Sequence, residues 1–259
     1  MDANQILVEA LRGKASAQTA AFSAKLVPTV APERFLGVKS ADMKAASKSL
    51  LAGELPVSSS EFRANVPHPY VELDIVHVHT LNALRDAGQW RTACENFLPH
   101  IDNWMATDSF DPVLLRGKRA LGSEGAAEAI ATGRSWLGDL SKGNSSASGG
   151  AYTVRTGVLV LLQALLKGHF APEQLEWVAA VRHPDYYVCM ATGWYFATAF
   201  DKFEQATRPF LEENGRLQLE SHRLAVRKII ESRRTSAENL RWARDKRAEL
   251  RELAKRTLP

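Results

Sequence analysis

The chain is expected to be all-α, and three features of its 259 residues say so. Apolar side chains return at three- and four-residue spacing in segment after segment. The segments are punctuated by Pro, Gly and Ser/Asp caps, and no stretch alternates apolar and polar residues as a half-buried strand would. Helix pairs also recur at intervals of roughly forty residues, near Pro69, Pro112, Tyr152 and Tyr186, without a sharp sequence repeat. That interval suits HEAT-like antiparallel pairs stacked into a curved solenoid with a concave face; a compact helical bundle fits the same periodicity.

In chain order, Gln5–Leu26 carries Ile6, Leu7, Ala10, Leu11, Phe22 and Leu26 at helical spacing, and Pro28 and Pro32 end it. Ser40 reads as the N-cap of Ala41–Leu51. Glu61–Val66 is a short helical turn ahead of Pro67 and Pro69. Tyr70–Ala87 is a longer helix closed by Gly88, and Gln89–His100 follows. Pro112 should open a helix around Val113–Leu121, with Asp111 as its N-cap. Glu124–Asp139 leads into a Ser/Gly-rich stretch, 141–150, that reads as a flexible loop. Beyond it lie Tyr152–Lys167, Pro172–Val181, Tyr186–Phe200 (opened by Pro184 and Asp185), Lys202–Glu213 (closed by Asn214 and Gly215), Leu219–Ser232 and Ser236–Lys255.

Composition bounds the function. Apolar residues make up 45% and charged residues 24%, an ordinary balance for a soluble globular protein. Cys94 and Cys189 lie in apolar helical surroundings with no CxxC, and read as buried thiols of a reducing cytosol. The longest apolar run, Val158–Leu166, is about half of what a bilayer requires, and the N-terminus lacks the pattern of a secretory signal. A soluble, cytoplasmic protein is expected. Charge is uneven: the last 59 residues hold 15 Lys+Arg against 10 Asp+Glu, the first 200 hold 18 against 19. A polyanionic partner met by the C-terminal part follows from that bias. Much of the charge sits on Ser236–Lys255, however, where Glu238, Arg241, Arg244, Asp245, Lys246, Glu249, Arg251 and Glu252 mix both signs. Such mixing is the usual mark of a solvated face.

One stretch stands out, Asn103-Trp104-Met105-Ala106-Thr107-Asp108-Ser109-Phe110-Asp111-Pro112. Asp111 has the capping position before Pro112 to explain it; Asp108 has none. Trp104 and Asp108 are four residues apart and share a helical face, setting an aromatic plane beside a carboxylate. Both attract positive charge. The plainer reading is a core tryptophan followed by a second capping aspartate.

Five motifs then fall in order: Phe35-Leu36-Gly37-Val38-Lys39-Ser40, the Asn103-Trp104…Asp108-Ser109 stretch, Val154-Arg155, Gly193-Trp194, and Ser221-His222-Arg223-Leu224-Ala225-Val226-Arg227-Lys228-Ile229. Together, over residues 5–234, they resemble the bacterial DNA alkylation-repair glycosylases, the AlkD-like HEAT-repeat family. The resemblance implies an α-α superhelix of antiparallel helix pairs whose basic concave face grips duplex DNA. It implies a monomer, with no metal and no organic cofactor, working on nucleoid DNA. The activity it implies is hydrolysis of the N-glycosidic bond of cationic N3- and N7-alkylated purines.

The family's roles carry over to matching positions. Asp108 falls on the catalytic carboxylate, and Trp104 and Trp194 on the two tryptophans lining the lesion site. Arg155 falls on an arginine that contacts the DNA backbone; Arg223, Arg227 and Lys228 are further expected phosphate contacts. These residue types suit the reaction. Breaking a glycosidic bond builds positive charge on the sugar, which a carboxylate stabilises while it orients the attacking water. A cationic purine leaves neutral, so one Asp suffices without a general acid. Indole faces attract such cations by about 0.5–2 kcal/mol each. The chain departs from the family at Val27, where relatives carry a tyrosine, at Tyr152 in place of a tryptophan, at Met190 in place of a basic residue, and in the 141–150 insertion.

Other patterns carry less. Asp74, His77 and His79 hint at metal ligands, but on a helix His77 and His79 point about 200° apart; only Asp74 and His77 could pair. His68, His100, His169, His183 and His222 read as caps or surface residues. No G-x-S-x-G, Walker loop or dinucleotide fingerprint is present. Trp194 reads equally as a core residue, and Arg155 as a partner for a helix end. The competing function is a non-catalytic HEAT-like module binding nucleic acid or protein.

Overall fold

The computed structural model describes residues 1–116, 122–138 and 150–257. Among these it contains fourteen α-helices, a few 3-10 turns and no strand. The chain divides into two compact units, Met1–Ala129 and Ile130–Pro259.

The first unit begins with α1 (Ala3–Arg12) and α2 (Ala17–Leu26). The expected single helix over Gln5–Leu26 is thus two, because the chain turns at Gly13 and Ser16 caps the second by accepting from the Thr19 amide. Next come α3 (Ser40–Leu51), α4 (Ser59–Ala64), α5 (Val71–Asn82), α6 (Ala87–Phe97) and the single turn α7 (Trp104–Thr107). Ser40 lies inside α3 rather than capping it. Gly88 does not end the long helix either: α5 stops at Asn82, and Asp86 caps α6 through the Gln89 amide, leaving Gly88 inside α6. Ser58 and Glu61 form a reciprocal capping box that starts α4.

Helix α5 is the rail of this unit. Ten of its twelve residues are buried, polar ones included, so it is packed on every side. It packs against α3 and α7 over a core of Leu7, Leu11, Val27, Phe35, Met43, Leu50, Phe62, Leu73 and Val76. After α7 the expected helix around Val113–Leu121 is only a 3-10 turn at Val113–Leu115; residues 117–121 lie outside the described ones. Asp111 is not its cap. Its carboxylate instead accepts a 2.7 Å bond from Arg116.

Helix α8 (Gly122–Ser135) precedes α9 (Gly150–Leu166), α10 (Glu173–Ala179), α11 (Tyr186–Lys202), α12 (Glu204–Glu212), α13 (Leu219–Glu231) and α14 (Ala237–Thr257). Residues 141–149 of the expected loop are outside the described ones, and Gly150 already begins α9. In the second unit α11 is central, packed against α9 and α13, with α14 on α13. Two glycines let its helices approach closely. A Cβ at Gly157 would stand 2.6 Å from the Gly133 carbonyl, and one at Gly193 would stand 2.8 Å from Leu224 Cβ and 2.9 Å from the Ala225 amide. The core here is almost wholly apolar, running from Leu137 through Val158, Leu162, Tyr195, Phe196 and Leu211 to Leu250. Both cysteines are free and buried. No helix among the described residues is long and apolar enough to cross a membrane.

Candidate functional site

In the first unit, the site is built outward from α5. Near its start Asp74, 1% exposed, accepts from Arg34 Nη2 at 3.0 Å and from Asn103 Nδ2 at 3.4 Å. Arg34 Nη1 reaches on to Asp102 at 2.8 Å, and Asn103 Nδ2 also meets Asp102 at 3.1 Å. Burial pushes the Asp74 carboxyl well above its usual range; the Arg34 guanidinium pulls the other way but does not win. The Asn103 side chain spends its oxygen differently, capping α7 by accepting from the Ala106 amide at 2.9 Å. At the far end of α5, the Asn82 side chain donates to the Ser109 carbonyl at 2.7 Å and accepts from the Asp111 amide at 2.9 Å. The focal stretch is therefore gripped on entry by Asp74 and on exit by Asn82.

Between these grips sit Trp104 and Asp108. Helix α7 is only four residues long, yet the Asp108 amide donates to the Trp104 carbonyl at 2.9 Å, which preserves the one-turn spacing. Asp108 is exposed. The Trp104 ring is half-buried against the first unit's core, and its Nε1 donates to the Leu26 carbonyl at the end of α2, 3.2 Å away. An indole fixed by packing and one hydrogen bond thus stands a turn before an exposed acid. Val27, next to Leu26, is fully buried, so the chain offers no ring there.

The Phe35-Leu36-Gly37-Val38 motif has a structural explanation. Glu72 on α5, 3% exposed, collects the backbone amides of Leu36, Gly37 and Val38 at 3.0, 2.7 and 3.2 Å. Gly37 has φ +87°, and a Cβ there would run into the Ser16 carbonyl and the Ala20 amide. A carboxylate held by three N–H groups ties this loop to the same helix that grips α7.

The remaining singled-out residues lie in the second unit. Arg155 on α9 is 3% exposed and donates from Nη1 to the Tyr187 carbonyl, joining α9 to the start of α11. It is not a surface cation; its guanidinium is engaged within the fold. Trp194 on α11 is half-buried against the apolar core, with Lys228 Nζ 6.0 Å from its ring centroid, at the outer limit of a cation–π contact. The close crossing at Gly193 explains the Gly-Trp pair: it brings α13 near enough to set Lys228 over that indole. Trp194 and Lys228 share a groove of about 400 Å³ with Asp201, Arg233 and Arg234. Arg223 and Arg227 are exposed on α13; Arg223 pairs with Glu220 at 2.9 Å and Arg227 with Glu231 at 3.7 Å.

The histidines differ from the expectation. His68 and His222 are buried, not surface or capping residues. His77 does not pair with Asp74. His68 Nε2 meets His77 Nδ1 at 2.8 Å, and His68 Nδ1 meets Asn4 Oδ1 at 2.7 Å. Because Asn4 Nδ2 donates to the Asn65 carbonyl, its Oδ1 accepts, so His68 Nδ1 carries the proton and His77 Nδ1 donates to His68 Nε2. Phe62 stacks on His68 and Phe97 on His77, with centroids 4.6 and 3.7 Å apart. Burial holds His68 down to about 3 and His77 to about 2. His79 faces elsewhere, with Nδ1 2.9 Å from Ser47 Oγ. Among the described residues no His, Cys, Asp or Glu side chains gather in threes as metal ligands. Local sequence carries no signal for the His68–His77–Asn4 chain, because Asn4 is 64 positions from His68.

Comparison with protein-family models, curated proteins and solved structures finds no match to this chain.

Proposed function

We propose that the protein is a DNA-repair glycosylase that hydrolyses the N-glycosidic bond of cationic N3- or N7-alkylated purines in duplex DNA. Its helix pairs would form the HEAT-like superhelix of the family it resembles. One observation carries the reading: an exposed carboxylate, Asp108, one turn beyond a fixed indole, Trp104, on a segment clamped at both ends by α5. A loop merely capping helices needs neither the exposed acid nor the double clamp.

In the reaction, the bond between C1′ and the purine nitrogen breaks with its electron pair going to the base. The cationic base thereby leaves neutral. Asp108 stabilises the oxocarbenium character left on the sugar and accepts the proton of the water that adds at C1′, giving an abasic sugar. Trp104 favours the cation through its ring face. In the second unit, the resemblance assigns phosphate contacts to Lys228, Arg223 and Arg227 and the role of the family's second tryptophan to Trp194. Arg155 acts through α11, by bracing the helix that carries Trp194. Its burial removes one expected DNA contact, and for that reason a non-catalytic HEAT-like module binding nucleic acid or protein is the competing reading.

The test is release of 7-methylguanine from methylated duplex DNA by the wild type and by Asp108→Asn. Removing one charge that stabilises a transition state should slow release by about 100-fold or more with the fold unchanged. Equal release by both proteins would remove Asp108 from the chemistry. Absence of release by the wild type, with duplex binding retained, would favour the binding module.

A further inference from the structure

The mixed charge of α14 forms the solvated face that the sequence suggests, apart from the buried Lys246, and three of its arginines line one groove. Ala243, Lys246 and Leu250 point inward; Lys246, 6% exposed, donates to the Glu212 carbonyl at 2.7 Å and pairs with Glu249 at 3.1 Å. Glu249 also accepts from Asn214, and Glu252 is taken by Lys255 at 2.7 Å. Glu249 is thus held by Lys246 and Asn214, while Glu252 is shared between Lys255 and the charges of Arg251 and Arg256. The helix is firmly seated: Trp242 stacks on Phe200 at 5.2 Å, and Arg208 lies over the Trp242 ring at 4.7 Å while bonding Asn239.

What remains is a groove of about 490 Å³ between α13 and α14, floored by Leu224, Ala248 and Leu250. Five arginines line it, Arg223, Arg227, Arg244, Arg247 and Arg251, against two glutamates, Glu220 and Glu252. Both glutamates already have partners, Arg223 and Lys255. Arg244, Arg247 and Arg251 are exposed; Arg251 lies within the field of the Glu252 carboxylate, whose hydrogen bond comes from Lys255. The three arginines sit at i, i+3 and i+7, so they form one stripe about 10 Å long. Over about that length a DNA duplex presents roughly six phosphates. Along α13 and the turn after it, basic residues continue from Arg223 and Arg227 to Lys228, Arg233 and Arg234 at the Trp194 groove, where Arg234 pairs with Asp201 at 3.3 Å.

We infer that the α13–α14 groove is a binding track for the phosphodiester backbone of duplex nucleic acid, with Arg244, Arg247 and Arg251 as phosphate contacts. Arginine forks bind phosphate oxygens two at a time, and a stripe about 10 Å long suits a continuous polyanion better than an isolated anion. The groove lies largely beyond residues 5–234, where the family resemblance runs. The inference shares a nucleic-acid partner with the proposed function but needs no base chemistry, and the two fail separately.

The experiment titrates an unmodified DNA duplex against the full chain across a range of salt concentrations. It compares the wild type with Arg244→Gln/Arg247→Gln/Arg251→Gln, which keeps helix propensity while removing three charges. A second triple variant, Arg85→Gln/Arg91→Gln/Lys167→Gln, removes the same charge outside the groove. Thermal melting checks that each variant is folded. The slope of log K against log salt should fall by about 0.9 for each phosphate no longer neutralised, hence by about 2–3 for the groove variant. The control should keep the wild-type slope. Unchanged slope in the groove variant, an equal fall in both variants, or no duplex binding by the wild type would each overturn the track. So would polyglutamate displacing the duplex at equal charge concentration, which would assign the groove to acidic protein. None of these outcomes depends on whether 7-methylguanine is released.

Discussion

The two units solve the same packing problem with different chemistry. In the first, the central helix α5 is buried together with Glu72, Asp74, His77 and Thr80, and loops are fastened to it by ionic and amide hydrogen bonds. In the second, α9 and α11 bury mostly apolar residues, and closeness comes from Gly133, Gly157 and Gly193. The difference teaches where each unit can carry function. A polar scaffold can orient an exposed acid on a one-turn helix, because each hydrogen bond fixes direction as well as distance. A tightly packed apolar scaffold turns a few cations inward to cap backbone carbonyls, as Arg155 and Lys246 do, and leaves the others to basic grooves on the second unit's surface.

Acid should expose the contrast most strongly. His68 and His77 are held neutral in the fold, at about 3 and about 2, while in the unfolded chain each takes up a proton near 6.5. Their stabilisation is complete above about pH 6.5 and is lost as pH falls, at about 1.4 kcal/mol per pH unit for each. The second unit has one comparable histidine, His222, held down to about 4 by burial despite its bond to the Leu211 carbonyl. Hydrogen exchange between pH 7 and 4.5 should show the first unit losing protection more steeply than the second, with the buried Asp74 carboxyl, raised above its usual range, offsetting part of the histidine loss. Parallel loss in both units would dissolve the comparison.

Next in size is Arg34→Ala, which leaves Asp74 buried beside Asp102 without its cation. A loss of about 3–5 kcal/mol is expected in denaturant unfolding, with exchange accelerated in the first unit only. A cost under about 1 kcal/mol would show that the acid is held protonated and needs no partner. The matching probe of the second unit is Gly193→Ala, whose methyl must push Leu224 and Ala225 aside. Overpacking of that kind costs about 1–3 kcal/mol. It should also move Lys228 from the Trp194 ring, read as a change in tryptophan fluorescence and as slower base release, because both side chains belong to the proposed site.

How much of the molecule is legible in its sequence depends on range. The all-helical class, most helix spans, the buried cysteines and the Trp104–Asp108 spacing follow from residues within about four positions of one another, where periodicity and caps operate. The break at Gly13 is hidden because Ala, Gln and Ser around it carry no strong helix-ending signal beyond that one glycine. Gly88 misleads for the opposite reason: a glycine that looks like a stop is carried inside α6 by the Asp86 cap. Asp111 has a cap's position before Pro112, but its carboxylate goes to Arg116.

The sequence by itself settled the helical class and most helix spans, since helix formation is decided largely by the pattern along a few neighbouring turns. Only the tertiary structure decided what the charged and polar residues do. Asp74 meets Arg34 across 40 positions and Asn103 across 29, Arg155 turns inward to the Tyr187 carbonyl, and Arg244, Arg247 and Arg251 of α14 share one groove with α13. A long-range partner is chosen by packing geometry, and local order along the chain holds no record of that choice.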